Sequence, residues 1–475
     1  MSDFVETMSP DLASDFLPYY GGRRVKAALV LSTLWGGTGI LHWVAWGPWM
    51  VLGFTVFMGL YLMRLIVARP ARSVLTQPQI SWLPSVRDGS AAVKGSRFEG
   101  SRVKGNSLEA SDAVVTPAEW PFVSVLIAAK NEEGVIAALA QSLCQLDYPQ
   151  DRYDVWIIDD NSDDRTGELL DQLARQYGSL NVIHRGPDAT GGKSGALNSV
   201  WPRTRGDVLA VFDADAYVAP DLLRHVVPIL ANEMVGAVQV RKAIENEATN
   251  FWTRGQQAEM ALDSYYQQQR IAMGGIGELR GNGQFVRRTA IAQCGGWNEA
   301  TITDDLDLTL QLHLYDWEIA FVAFPQVGEE GVTRSIALWH QRNRWAEGGY
   351  QRYLDYWRPI IHNRLGLQKT TDLFVFWVLQ YMLPMVTVPD VIFAIAKHRL
   401  PLFGPLTTLA VSVSFWGMFA GIRRTQQLPM PVALLHTIRG TIYMLHWVVV
   451  MSTTTVRVAV RPKRLKWMKT VHGES

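Results

Sequence analysis

Two aspartates stand one residue apart directly after a short apolar stretch, in Asp213-Ala214-Asp215. Residues 208–212 indicate a buried strand, so both carboxylates would lie on the loop at its carboxyl end. Carboxylates spaced in this way can converge on one Mg²⁺ or Mn²⁺ ion, which prefers oxygen ligands and also binds diphosphate oxygens. The alternative is a solvated turn, which this pattern often forms. The strand context and the neighbouring motifs favour Asp213 and Asp215 as metal ligands.

Two further segments could bind a nucleotide. Asp159 and Asp160 end another apolar stretch, where a carboxylate can accept hydrogen bonds from a base or a ribose; the same residues could instead cap the next helix. Lys193 lies in the glycine-rich segment 191–195, which lacks the spacing of a Walker phosphate loop. A glycine-rich backbone can still approach a diphosphate closely, and the residues that follow, up to Asn198, favour a binding role over a plain turn.

An acidic cluster of Asp304, Asp305 and Asp307 opens a helical pattern after Thr303. Acidic residues stabilise the start of a helix through its dipole, but three acids in five positions exceed what capping requires. A carboxylate placed here could act as a general base that takes the proton of an acceptor hydroxyl.

Gln341, Arg344 and Trp345 form a Q-x-x-R-W pattern in an aromatic-rich helical segment just before an apolar run. An arginine here could bind a diphosphate, and an indole ring could stack on a sugar or an acceptor. Taken alone, the pattern favours an amphipathic helix with Arg and Trp at a membrane surface. The other motifs shift the interpretation towards a binding site.

Short strands that alternate with helices must position these groups. Strands are predicted at 123–127, 155–158, 181–183 and 208–212, and helices at 133–146 and 166–177. Such alternation predicts an α/β domain with a parallel, doubly wound sheet. Ligands bind at the carboxyl ends of the strands in these sheets, and the polar residues described above follow those ends.

Long apolar runs flank this domain. Runs at about 27–47 and 48–68 are each long enough to cross a membrane as a helix, and arginines at the outer ends of this hairpin place both ends in the cytoplasm. We therefore divide the chain into four parts. These are an N-terminal tail and transmembrane hairpin over 1–69, a flexible linker over 70–119, a cytosolic domain over 120–358, and interfacial and transmembrane helices with a basic tail over 359–475.

The C-terminal part leaves the topology open. Runs at 373–396, 402–422 and 431–451 are long enough to cross a membrane, and three crossings would place the tail outside. The basic residues at 461–466 favour the inside. One run is therefore expected to be re-entrant or interfacial, and Pro384 and Pro389 make the first of them a candidate.

Composition excludes some classes of protein. The formal net charge is +1 over 475 residues, so no bulk basic field indicates nucleic-acid binding. The 18 tryptophans include many beside the apolar runs, as a bilayer interface favours. Cys144 and Cys294 lack Cys-x-x-Cys partners, which argues for reduced thiols and against a zinc site.

Taken in order, these motifs resemble the family 2 inverting glycosyltransferases, in the branch of the cellulose and hyaluronan synthases. The match comprises Lys130-Asn131-Glu132, Asp159-Asp160, Asp213-Ala214-Asp215, Thr303-Asp304-Asp305 and Q-x-x-R-W. The resemblance implies a GT-A nucleotide-diphospho-sugar transferase domain, nucleotide-sugar binding that includes Lys130 and Glu132, and Asp305 as the catalytic base. The family has a glutamate where this chain has Asp304, so a catalytic role for Asp304 is less firmly implied.

A more specific resemblance is to the cyanobacterial β-monoglucosyldiacylglycerol synthases. It lies in Gly281–Phe285, in Thr303–Asp305 and in the stretch QRNRWAEGGY over Gln341–Tyr350. It implies UDP-glucose as the donor and 1,2-diacylglycerol from the bilayer as the acceptor, in the cyanobacterial plasma or thylakoid membrane. Two alternatives stay open: a processive polysaccharide synthase, and a non-catalytic membrane scaffold with a nucleotide-sugar fold.

Overall fold

A computed structural model of the chain describes residues 21–70 and 120–460. The predicted linker, apart from its first residue, and the basic tail lie outside the described residues. So does most of the N-terminal tail.

An eight-stranded mixed sheet forms the centre of the soluble domain. Its strands are β1 (Val123–Ala129), β2 (Tyr153–Asp159), β3 (Leu180–His184), β4 (Val208–Phe212), β5 (Tyr217–Val218), β6 (Val235–Ile244), β7 (Gln284–Arg287) and β8 (Glu318–Glu329). The order is β3-β2-β1-β4-β7-β6-β8-β5. The first four strands are parallel, as predicted. The second half departs from a wholly parallel sheet because β7 runs antiparallel between β4 and β6.

Helices cover both faces of this sheet. They are α3 (Ile136–Leu143), α4 (Thr166–Ala174), α5 (Gly192–Val200), α6 (Leu222–Val226), α7 (Phe251–Ala272), α8 (Arg288–Cys294), α9 (Asp304–Leu314), α10 (Ser335–Asp355) and α11 (Trp357–Ile361), with 3₁₀ turns at Trp201–Arg203 and Val227–Ala231. Every residue of β1 is buried. Val125 and Ile127 face one apolar cluster and Leu126 faces the other, as expected of a strand covered on both sides.

The apolar runs form six further helices. They are α1 (Arg23–Trp43), α2 (Gly47–Val67), α12 (Leu367–Ala396, with a π-helical turn at Val378–Met382), α13 (Gly404–Gln426), α14 (Met430–Met444) and α15 (His446–Val460). Among the described residues, four segments are long and apolar enough to cross a membrane: α2, α12, α13 and the stretch Met430–Val460, which comprises both α14 and α15. Helix α1 equals α2 in length but is less apolar.

A buried ionic network joins the soluble domain to these helices. The Glu278 carboxylate pairs with Arg270, Arg280 and Arg352 at 3.1, 2.7 and 2.8 Å. Arg270 also pairs with Asp372 of α12 at 2.9 Å. Buried ions need this degree of pairing, because each would otherwise carry a large desolvation penalty. The network therefore fixes the sheet domain rigidly to α12.

Helices α14 and α15, which we call the C-terminal pair, lie along the soluble domain. The Trp447 indole donates to Glu259 of α7 at 2.8 Å, and Thr454 donates to Asn343 of α10 at 2.9 Å. Arg457 pairs with Glu347 of α10 at 3.0 Å. In α14, the Tyr443 hydroxyl donates to Glu259 at 3.1 Å, so both helices of the pair contact the soluble domain.

The segment that contains Pro384 and Pro389, a candidate for the interfacial run, instead extends away from the soluble domain. Asp372 near its start contacts that domain. Asp390 near its end lies 2.8 Å from His42 at the far end of α1. The helix therefore spans the distance between the two ends of α1, and the C-terminal pair is the segment that stays beside the soluble domain.

Candidate active site

One cavity of about 1140 Å³ contains most of the chemically active residues. Its walls come from the strand-end loops, from α7, α9 and α10, and from the apolar helices α12 to α15. The cavity therefore lies where the soluble domain meets the apolar helices.

The D-A-D motif follows β4 and faces this cavity. The backbone N–H of Asp213 donates to the Asn282 carboxamide at 3.2 Å, which fixes the loop against the turn before β7. Burial would raise the pKa of Asp213, but an ion pair with Lys193 holds it below its usual value. Burial, together with the neighbouring charges of Asp213 and Glu329, raises the pKa of Asp215 to about 7. The two carboxylates form a crowded site that a cation would stabilise.

Lys193 lies in the first turn of α5. Gly191 before it has a positive φ of 81°, and a Cβ there would come within 2.3 Å of the Glu299 carboxylate, so only glycine fits. Burial opposes the charge on Lys193, but Asp213, Asp304 and Asp305 together raise its pKa. The lysine therefore stays protonated among the acids, where it could bind a diphosphate.

Asp304 and Asp305 form the first turn of α9. Burial, followed by the charge of Asp304, raises the pKa of Asp305 to about 6. One oxygen of Asp305 accepts from the backbone N–H of Leu306 at 2.9 Å. The other faces Gly281, where a Cβ would lie 3.5 Å away. Asp304 has one buried carboxylate oxygen without a hydrogen-bond partner. Asp305 thus has one oxygen oriented by the backbone and a pKa suited to a general base near neutral pH.

The Q-x-x-R-W residues come from α10, and all three line the cavity. Burial lowers the pKa of Arg344, while Asp213 and Asp305 counteract this effect. The Trp345 ring lies 5.1 Å from the Lys242 ammonium. The motif thus brings a cation and an aromatic face to the same acids.

Four predicted site residues do not line the cavity. Lys130 donates to the backbone carbonyl of Asp160 at 2.9 Å. Asp159 lies 2.9 Å from His184 Nδ1 and accepts from a backbone N–H in its own loop.

Asp160 pairs with Arg185, and burial raises its pKa. The Asn198 carboxamide joins the backbone of Trp297 to Glu299. All four side chains brace the loops beside the cavity, whereas Glu132 does line it.

Several cavity residues were not singled out in the sequence. Lys242 of β6 pairs with Glu329 of β8 at 3.0 Å, and Arg280 pairs with Asp263 of α7 at 2.8 Å. The adjacent charges of Arg241 and Lys242 inside a mostly apolar strand were the available signal for Lys242. Glu329, Arg280 and Asp263 gave no such signal, because each is paired with a residue that is distant in the chain.

The donor set fits a divalent cation that takes most of its ligands from a diphosphate and water. Asp213 and Asp215 supply hard carboxylate oxygens. Among the described residues, no group of three or more His, Cys, Asp or Glu side chains could hold a metal by itself. Any cation bound here would therefore depend on the nucleotide for its remaining ligands.

Comparison with known proteins agrees with this arrangement. A profile of the family described as "Glycosyltransferase like family 2" matches residues 121–348. Beta-monoglucosyldiacylglycerol synthase of Trichormus variabilis is 54% identical over 99% of this chain and 93% of its own length. The synthase of the same name from Synechocystis sp. is 52% identical, with the same coverage.

Among solved structures, a mannosyltransferase from Pyrobaculum calidifontis in complex with GDP-Man and Mn²⁺ is 17% identical. The match covers 88% of this chain and 98% of that chain, with a TM-score of 0.49. The sequence matches confirm the predicted resemblance and the enzyme class. The chain is a family 2 glycosyltransferase and belongs to the β-monoglucosyldiacylglycerol synthase family.

Proposed function

We propose that the protein transfers glucose from UDP-glucose to the free hydroxyl of 1,2-diacylglycerol, with inversion, to form β-monoglucosyldiacylglycerol. The full-length identity to synthases of that name supports this reaction. One observation carries it. The cavity that holds Asp305 is walled on one side by the sheet domain and on the other by apolar helices. A water-soluble donor and a lipid acceptor could therefore meet at one carboxylate.

The reaction needs one proton acceptor and a stabilised leaving group. Asp305 takes the proton of the acceptor hydroxyl as that oxygen forms a bond to C1 of glucose. The bond between C1 and the diphosphate oxygen breaks, and its electron pair leaves with UDP. Lys193 and Arg344 lie beside the acids at the cavity and place positive charge where the diphosphate gains negative charge.

Asp213 and Asp215 would hold Mg²⁺ or Mn²⁺ together with the donor diphosphate. Such a cation neutralises the charge that develops on the leaving UDP. Trp345 offers an aromatic face for the sugar or the acceptor, and Glu132 lies at the same cavity. The four bracing residues, Lys130, Asp159, Asp160 and Asn198, would order the nucleotide-binding loops.

We infer that the soluble domain faces the cytoplasm. Basic residues collect at the membrane-helix ends beside this domain, namely Arg23, Arg24, Lys26, Arg64, Arg423 and Arg424. Lys397 and Arg399 follow α12 at the far end. This distribution fits the positive-inside tendency.

The number of crossings also fits this orientation. Helices α1, α2, α12 and α13 would cross the membrane, and the C-terminal pair would lie at its cytoplasmic surface. The tail would then emerge on the cytoplasmic side, which removes the conflict between three C-terminal crossings and a basic tail.

The test is a transfer assay with purified full-length protein in detergent, radiolabelled UDP-glucose and Mg²⁺, with and without diacylglycerol. We expect label in a small organic-soluble product only when diacylglycerol is present, with a β anomeric linkage by NMR. Label that accumulates in a large polymer regardless of lipid would identify a polysaccharide synthase instead and overturn the proposal.

A further inference from the structure

We propose that the membrane end of the cavity is a lateral slot for the two acyl chains of the acceptor. In this slot the lipid enters between α12 and α13 from the bilayer, with its hydroxyl directed towards Asp305. The inference rests on the proposed function and adds where the acceptor binds and between which helices it enters.

The helices leave an opening at this place. Helix α12 packs mainly against α1 and α15, whereas α13 packs mainly against α2, α7 and α14. Side chains of α2 join α12 and α13 in a buried cluster that includes Met58, Val386 and Val413. By contrast, the cavity-lining residues Val411, Leu445 and Val448 are exposed at the molecular surface. The slot therefore has a back wall and an open rim towards lipid.

The lining suits acyl chains. None of the cavity-lining residues that α12 to α15 contribute is Asp, Glu, Lys or Arg. Helix α13 presents Thr407, Ala410, Val411, Ser414 and Met418, a stripe of mostly small or apolar side chains at helical spacing. A polysaccharide would need hydrogen-bonding groups to replace its lost hydration. The threonine hydroxyls in this lining, of Thr387, Thr407 and Thr441, already donate to backbone carbonyls of their own helices. Hydrocarbon needs only apolar surface and room.

The length of the slot matches the tails of one lipid. At the helical rise, the 11-residue separation from Thr407 to Met418 corresponds to about 16 Å. The tails of one lipid fill half of a typical hydrocarbon core, which is about 15 Å. The slot is therefore long enough to hold the acyl chains of a diacylglycerol.

Polar groups mark the junction between the slot and the acids. The Tyr266 hydroxyl lies 3.2 Å from Ser414 of α13, and Asp263, one helical turn earlier on α7, pairs with Arg280. Arg280 is close enough to Asp305 to affect its charge. The glycerol backbone of the lipid would thus pass polar side chains as it leaves the apolar slot.

The experiment compares two acceptors in lipid nanodiscs: long-chain 1,2-dioleoylglycerol and short-chain 1,2-dihexanoylglycerol. Ser414→Trp fills the slot. Ser412→Trp adds the same bulk to the exposed side of α13 and serves as the control. We expect Ser414→Trp to lower kcat/KM for the long-chain acceptor by about tenfold or more, since inserted bulk blocks a packed site. Transfer to the short-chain acceptor and the KM for UDP-glucose should change little in this variant, and Ser412→Trp should resemble the wild type with both acceptors.

A second pair guards against a folding defect in α13. Thr387→Trp fills the slot from α12, and Val388→Trp places the same bulk on the exposed side of that helix. Selective loss of long-chain transfer in the inward variant of either pair supports the slot. Equal behaviour of inward and outward variants with both acceptors overturns it. If the wild type glucosylates neither lipid, the proposed function fails first.

Discussion

Replacing Asp305 by asparagine should nearly abolish glucosyl transfer. Asparagine keeps the size of the side chain but cannot accept the acceptor proton. General-base catalysis typically contributes about 10²- to 10⁴-fold, so kcat should fall by about that factor. The KM for UDP-glucose should change far less. Thermal stability should not fall, because the substitution removes a buried negative charge beside Asp304.

The pH dependence follows from the raised pKa. Burial and Asp304 raise the pKa of Asp305 to about 6, and only the deprotonated carboxylate can act as the base. Activity should therefore be high at neutral pH, halve near pH 6 and fall further below it. The ratio of deprotonated to protonated Asp305 changes tenfold for each pH unit. At pH 5, therefore, only about a tenth of the molecules would carry the carboxylate.

Asp307 provides a matched control two residues later on α9. It is buried, and its pKa is also raised to about 6, primarily by burial. It hydrogen bonds to Asn298, Gln311 and Tyr356 and does not line the cavity. Initial rates of label transfer from pH 4.5 to 8 would separate the two. Asp307→Asn should keep both the rate and the acid limb. Substantial transfer by Asp305→Asn, or loss of the acid limb in Asp307→Asn, would refute the assignment of the base.

Three further predictions concern the donor, the metal and stability. Lys193→Gln should raise the KM for UDP-glucose roughly 10- to 100-fold, the range expected for a lost charged hydrogen bond, with the KM for diacylglycerol unchanged in steady-state kinetics. Chelation of the metal by EDTA should stop transfer, and added Mg²⁺ or Mn²⁺ should restore it. The Asp215→Asn variant should require a higher metal concentration for half-maximal activity. Full activity in EDTA would contradict the cation site. Glu278→Gln should lower the free energy of unfolding by about 3–5 kcal/mol, because the buried Arg270 and Arg352 and the partly buried Arg280 lose the charge of their shared partner. Thermal unfolding in detergent measures this change, with Glu233→Gln on the exposed surface as the control.

The strand-end acids could be predicted because one local rule places them. Asp213 and Asp215 follow an apolar strand, and such ends meet at one edge of a parallel sheet. The position of Asp304 and Asp305 could be predicted because acidic residues are favoured in the first turn of a helix. The structure brings these four acids to the wall of one cavity, although their individual roles stay predictions.

Long-range pairing was the part that local patterns could not supply. Asp159 and Asp160 have acceptor chemistry that suits a nucleotide. Their partners, however, are His184 at the end of β3 and Arg185 directly after it, about 25 residues away along the chain. The position of the C-terminal pair was equally hidden. Its apolar composition resembles that of a membrane span, and only contacts such as Arg457 with Glu347 show that it lies along the soluble domain.

Helix α10 has a consequence for how this enzyme can change over evolution or by engineering. Arg342 binds Glu259 and Tyr443, which hold the C-terminal pair in place. Arg344, two positions later, lies near Asp213 and Asp305. The same helix thus carries Arg342, which holds the helices that line the lipid end of the cavity, and Arg344, which lies beside the acids at the donor end. A substitution that shifts α10 to accommodate a bulkier lipid would also displace the cation beside the donor acids, so acceptor range and donor affinity should change together, and selection for one will have to include the other.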